Sequence, residues 1–245
     1  MPLNWKVYIP LDGALLYFLT PAAFFSLQDY AHRALFEGAS FVWEPLAQID
    51  LYLSTLSLGK IDCPIPHTVH LVNPHLISIG RGSHIEPGAF IQGPCILGEE
   101  STVRHGAYIR GGVIAGDRCV IGHSSEVKHS ILLNGVKVPH FNYVGDSILG
   151  NEVNLGAGVK CANYRLDGRP VAIRFEGGWV ETHMNKLGAI VGDRAQIGCN
   201  CVTSPGTLIG CEALSHPCLH IFGWVAAASV LKQSSKNERE QSADR

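Results

Sequence analysis

The sequence predicts a mainly β fold: a left-handed parallel β-helix of hexapeptide repeats with an N-terminal helical cap. Three observations predict it. First, stepping six residues at a time from Ile79 meets Ile85, Ile91, Leu97, Val103, Ile109, Ala115, Ile121, Val127 and Leu133, all apolar. With 46% apolar residues, ten such hits from one start arise by chance about 4 times in 10,000, so the period is real. Second, glycine is 27 of 245 residues, about 11% against a usual ~7%, as many tight corners require. Third, the first 60 residues lack the rhythm and carry helical spacing instead.

A six-residue period fits neither an amphipathic helix nor an alternating strand, and it does fit a hexapeptide solenoid. Each hexapeptide supplies a short strand, one inward aliphatic residue and a corner. Three of them close an 18-residue coil, so residues 18 apart stack at about one strand spacing, ~4.8 Å. Residues 1–65 form the cap. Phe24, Leu27, Tyr30, Ala31 and Ala34 have helical spacing, as do Trp43, Leu46, Ile49 and Leu53, and helices packed across the first coil would cover its unpaired strand edges. Residues 66–232 form the β-helix. The rhythm slips by one residue before Pro139, resumes at Val138 and Val144, and slips again to reach Leu149 and Leu155. It breaks from about 165 to 188, where Asp167-Gly168, Arg169-Pro170 and Gly177-Gly178 read as turns of an inserted loop carrying a hairpin. It returns at Val191, Ile197, Thr203 and Ile209. Residues 233–245 are polar and predict a disordered tail.

Composition excludes several classes. Net charge is 19 − 21 = −2, which argues against a nucleic-acid partner. The longest nearly apolar stretch, Ala14 to Phe25, is interrupted by Pro21 and is shorter than the ~20 residues of a membrane span. No cationic export signal is evident, so a cytoplasmic location is expected and the eight scattered cysteines are expected to be free thiols.

Coil stacking brings chemistry together. Arg110 and Lys128 are 18 apart. Stacked cations either face solvent separately or clamp an anion such as phosphate. His105 and His123 are also 18 apart and His140 follows after the slip, which makes either a ladder of exposed rings or, less simply, a metal column; the spacing does not single out three ligands. His140 opens the densest polar cluster, His140-Phe141-Asn142-Tyr143-Val144-Gly145-Asp146. A neutral histidine there, placed near Arg110 and Lys128 by coil geometry, is either structural or a proton acceptor. Asn154, Asn163 and Tyr164 offer sugar-binding donors and acceptors, or simply satisfy turns.

The run His140-x-x-Tyr143-x-Gly145-Asp146, then Asn154-Leu155-Gly156-Ala157-Gly158, then Asn163-Tyr164, resembles the acetyltransferase domain of the bifunctional glucosamine-1-phosphate acetyltransferase/N-acetylglucosamine-1-phosphate uridyltransferase family. The loop from Arg165 to Gly188 is more similar to archaeal-type sugar-1-phosphate nucleotidylyltransferase/acetyltransferase relatives. The similarity spans roughly residues 75–215. It implies a homotrimer with active sites at subunit boundaries, acetyl-CoA as donor, and no metal requirement. It implies that His140 is the general base, that Arg110 and Lys128 hold the sugar phosphate, that Tyr143, Asn154, Asn163 and Tyr164 bind the sugar, and that Ala157 lies beside the acetyl group. Cys199, on the donor side, stands where the bacterial enzymes tend to have serine. Ala172 stands where archaeal relatives tend to have lysine, with Arg169 nearby. Nothing before residue 75 resembles the nucleotidyl domain, so no nucleotidyltransferase activity is expected of this chain, and a separate nucleotidyltransferase is a candidate partner.

The expected function is therefore acetyl-CoA-dependent N-acetylation of an amino-sugar phosphate such as glucosamine 1-phosphate, a step like those of UDP-N-acetylglucosamine biosynthesis. The alternatives are a non-catalytic sugar-phosphate-binding or scaffold trimer and an O-acyltransferase acting on a nucleotide sugar.

Overall fold

In the computed structural model, which describes residues 18–175 and 178–233, the chain winds into a three-sided parallel β-helix of about nine coils. Each side is an eight-stranded parallel sheet. Face one runs from His70–Val72 through Tyr108–Ile109, Glu126–Lys128 and Tyr143–Gly145 to His220–Ile221. Face two runs from Ile77–Ile79 through Ser130–Leu132 and Ile148–Leu149 to Trp224–Val225. Face three runs from His84–Ile85 through Val120–His123, Lys137–His140 and Asn154–Leu155 to Val230–Leu231. The aliphatic residues of the six-residue rhythm fill the interior. Cys95, Cys119 and Cys161 lie among them, and burial pushes their thiols up to about 12.

Leu133 is the exception. The inward residue is Leu132, which pairs with Ala115 below and Leu149 above, each 17 positions away. The first slip, expected before Pro139 between Leu133 and Val138, therefore falls earlier, between Val127 and Leu132. Leu133 is buried, but outside the coil, in a second core. The second slip falls between Val144 and Leu149, and both shortened steps occupy the corner from face one to face two. His129 and Asp146 turn those corners at φ 42° and 48°, so each one-residue deletion is absorbed by one residue in the left-handed region.

The second core explains the N-terminal segment. Face two is apolar on both sides: Ile96, Ile114, Ile131, Ile148, Ile190 and Leu208 form an outward ladder in register. Residues 18–58 lie along this ladder as a strap, with Phe24, Tyr30, Phe36, Trp43, Leu46, Ile49 and Leu53 buried against it. The expected cap across the first coil is thus a brace along one flank. Helix α1 spans Glu44–Ser54, and Glu44 accepts hydrogen bonds from the Ser40 and Phe41 amides at 2.7 and 3.1 Å, satisfying donors ahead of its first turn.

The helical spacing at 24–34 does not give an α-helix. Two short 3-10 turns flank it, Pro21–Ala23 and Arg33–Phe36. Between them the backbone finds its partners on the corner from face two to face three. The Ser26 amide donates to Asp193 (2.8 Å), the Asn151 amide group donates to the Ser26 carbonyl (2.9 Å), and that of Asn134 to the Asp29 carbonyl (2.9 Å). The 165–188 insertion carries the expected hairpin, Ala172–Phe175 paired with Gly178–Glu181. Val171 and Ile173 join the second core. Of the expected polar tail, all but Gln233 lies outside the described residues, as do residues 1–17 of the expected cap.

Candidate functional site

Irregularity concentrates at the corner from face one to face two: both shortened steps and the insertion occur there. Gly111 and Gly112, at φ 81° and 61°, turn this corner one coil below Lys128. A cleft of about 390 Å³ opens at it, lined by Arg110, Gly111, Gly112, Lys128, His129, Asp146 and Lys186, with Gln92, Gly93, Pro94 and Asp50.

Asp146 organises this corner. Its carboxylate is 8% exposed and accepts a hydrogen bond from Lys128 Nζ at 2.9 Å. It also accepts from Asn163 Nδ2, and faces His129 Nδ1 at 3.2 Å. That His129 nitrogen is buried and otherwise unpartnered among the described residues. Burial pushes the Asp146 carboxyl up, but hydrogen bonds from His129, Lys128 and Asn163 outweigh it and hold the group below the ordinary carboxylate range. A depressed native pKa gives stability that is full above the unfolded value of about 3.9 and is lost as pH falls through the native value. Asp146→Asn is expected to cost about 1–3 kcal/mol near neutrality, because Lys128 loses its counter-ion. The difference in urea midpoint between wild type and variant should hold from about pH 7 to about pH 5 and shrink as the pH falls below about 3.9; a difference that stays constant below that pH would refute the pairing.

Arg110 donates to Glu126 at 2.7 Å and lies 5.7 Å from the Tyr108 ring centroid. Tyr143 reaches back over Gly145: a Cβ there would meet the Tyr143 hydroxyl at 2.6 Å and Asn163 Nδ2 at 2.8 Å. The glycine makes room for both groups beside Lys128. Arg110, Lys128, Tyr143 and Asn163 therefore converge. Tyr164 does not line the cleft; it is 53% exposed and bridged through its backbone to Lys186, which does. Lys186 returns from the insertion, whose length no coil arithmetic could allow for, and was not foreseen. Asp146 and His129 were foreseeable as the residues at the slips.

The remaining residues lie elsewhere. His140, Ala157 and Cys199 occupy successive coils at the corner from face three to face one. The Gly158 amide donates to the His140 carbonyl, the Asn200 amide to that of Ala157, and the Cys218 amide to that of Cys199. His140 pairs in register with His123. Its amide donates to buried Asn142 Oδ1 at 3.0 Å, and Asn142 Nδ2 donates to the Gly156 carbonyl at 2.7 Å, fixing this turn. His105 and His123 stack at 5.7 Å, with Nδ1 of each against a carbonyl of the coil below, at 2.7 and 2.9 Å. Asn154 sits on face three beside Lys137 and Gln196. His140 is thus not beside Arg110 and Lys128 within one chain: the whole width of face one separates the two corners. Coil arithmetic gives height along the solenoid, and the corner is set by the remainder within each coil.

Residues 91–182 match the family described as GMPPB C-terminal domain. The bifunctional sugar-1-phosphate nucleotidylyltransferase/acetyltransferase of Sulfurisphaera tokodaii is 39% identical over 90 residues, which are 37% of this chain and 22% of that relative. The bifunctional protein GlmU of Methanococcus maripaludis is 42% identical over 87 residues, 36% of this chain and 21% of that one. This stretch is homologous to the acetyltransferase region of those bifunctional enzymes. The match spans about a fifth of the length of these curated relatives. The family-matched residues include Arg110, Lys128, His140, Tyr143 and Asn163, and leave out Asp50, Lys186 and Cys199. Among solved structures, UDP-N-acetylglucosamine acyltransferase from Campylobacter jejuni aligns over 76% of this chain and 82% of that chain, at 10% identity and a TM-score of 0.44. Among the described residues, no helix is long and apolar enough to cross a membrane.

Proposed function

We propose that this protein is an acyltransferase that transfers the acetyl group of acetyl-CoA to the amine of an amino-sugar phosphate such as glucosamine 1-phosphate. The observation that carries this reading is the cleft at the one-two corner. There Arg110, Lys128 and Lys186 line one cleft with the buried carboxylate of Asp146, which pairs with Lys128, and the hydroxyl of Tyr143 and the amide of Asn163 lie beside Lys128. A phosphate suits the cations, and the amide and phenol suit sugar hydroxyls.

His140, Ala157 and Cys199 share the other corner of face one. A homotrimer supplies what one chain lacks: the His140 corner of one protomer against the Arg110 corner of its neighbour. The amine nitrogen attacks the thioester carbonyl carbon, His140 accepts the amine proton, the C–S bond breaks, and the proton passes to the departing thiolate. Ala157 and Cys199 line the donor side. Positioning amine and thioester on rigid coils supplies a large part of the rate.

The test is to incubate purified protein with acetyl-CoA and glucosamine 1-phosphate while following released thiol, with oligomeric state measured by sedimentation. Acceptor-dependent thiol release from a trimer is expected. No release with any amino-sugar phosphate would overturn the reading, and release with hydroxyl acceptors alone would favour the O-acyltransferase alternative.

A further inference from the structure

Helix α1 divides two clefts. Leu46, Ile49 and Leu53 bury its inner stripe on face two. At 3.6 residues per turn, Asp50 sits about 40° round from Leu46, and Tyr52 sits on the opposite flank. Tyr52, Gln48 and Thr55 accordingly line a separate cleft, whereas Asp50 lines the cleft of Arg110, Lys128 and Lys186. The strap is therefore one wall of the anion site. Asp50 is exposed, and among the described residues its carboxylate makes no hydrogen bond or ion pair. It lies outside residues 91–182, the segment matched to the family.

A carboxylate facing a cationic cleft acts in two opposite ways. It repels a bare phosphate, and it accepts a charge-assisted hydrogen bond from any hydroxyl or ammonium group the ligand carries. Between these walls Gly111 and Gly112 line the cleft. We propose that Asp50 is a specificity-determining residue of this site, favouring phosphate esters that carry a hydroxyl or ammonium donor near the phosphate over inorganic phosphate. The inference rests on the anion-site reading given under Proposed function.

Asp50→Asn is a conservative change at an exposed helix position. Calorimetric titration of wild type and variant with glucosamine 1-phosphate and, separately, with inorganic phosphate tests it. Loss of the carboxylate should weaken glucosamine 1-phosphate roughly tenfold, as for one charge-assisted hydrogen bond. The same change should strengthen inorganic phosphate by roughly two- to fivefold, as a like charge is removed. Equal shifts in the same direction, or no shift, would overturn the role of Asp50 while leaving the anion site standing. Failure of Lys128→Ala to weaken either ligand would overturn the anion site, and with it this inference.

Discussion

Replacing His140 by alanine is expected to lower turnover by about 10²–10⁴-fold, the usual contribution of a positioned general base, while the fold is retained. The side chain is exposed, and the turn that carries it is held by backbone groups and by Asn142, not by the imidazole. Removing the ring opens no cavity, so the melting temperature should stay within a few degrees of wild type. Loss of turnover with an unchanged melting curve and an unchanged sedimentation profile supports the assignment. Undiminished thiol release would remove His140 from the mechanism. The contrast with Arg110→Ala is informative: loss of a phosphate contact should raise the KM for glucosamine 1-phosphate more than it lowers kcat.

The largest structural effect is expected from Gly122→Ala. A Cβ at this position would lie 1.7 Å from the Pro139 carbonyl oxygen and 2.1 Å from its carbon. The obstacle is backbone of the next coil, so no rotamer change relieves it, and the two coils must part. Overpacking against mobile side chains costs about 1–3 kcal/mol; against backbone the cost is expected at or above the top of that range. For a chain of this size that lowers the melting temperature by roughly 10 °C or more. Gly122 precedes His123, and Pro139 precedes His140, so the same variant should impair thiol release in whatever fraction still folds. A melting temperature matching wild type would show that the coils at 122 and 139 are not stacked in this register.

Much of the architecture is written in the period. The interior aliphatic residues and both one-residue deletions are visible in a count of six. Leu132 and Leu133 could not be told apart because both are leucine, and only pairing with Ala115 and Leu149 distinguishes them. The strap was half legible. The spacing of Leu46, Ile49 and Leu53 gave α1, but equivalent spacing at 24–34 did not give a helix. Asn134, Asn151 and Asp193 satisfy that backbone from more than 100 positions away. The position of the strap had a signal too. Cys95-Ile96-Leu97, Val113-Ile114-Ala115, Ser130-Ile131-Leu132 and Ser147-Ile148-Leu149 recur at every third step, and Ala189-Ile190-Val191 follows the insertion, with an isoleucine where an open face would be polar. The Arg110–Lys128 stack followed from their 18-residue separation. The place of His140 did not, because a count along the chain says which coil a residue is in more readily than which edge of it.

Coils in a repeat stack touch only their immediate neighbours, so such stacks come apart from their ends, one unit at a time. Here residues 18–58 are bonded or packed to coils from Ile96 to Leu208. Peeling one terminal coil must also loosen a segment shared with the middle of the stack. The protein should therefore denature as one cooperative unit, and cutting between residues 58 and 61 should turn a single sharp transition into a broad, sequential one.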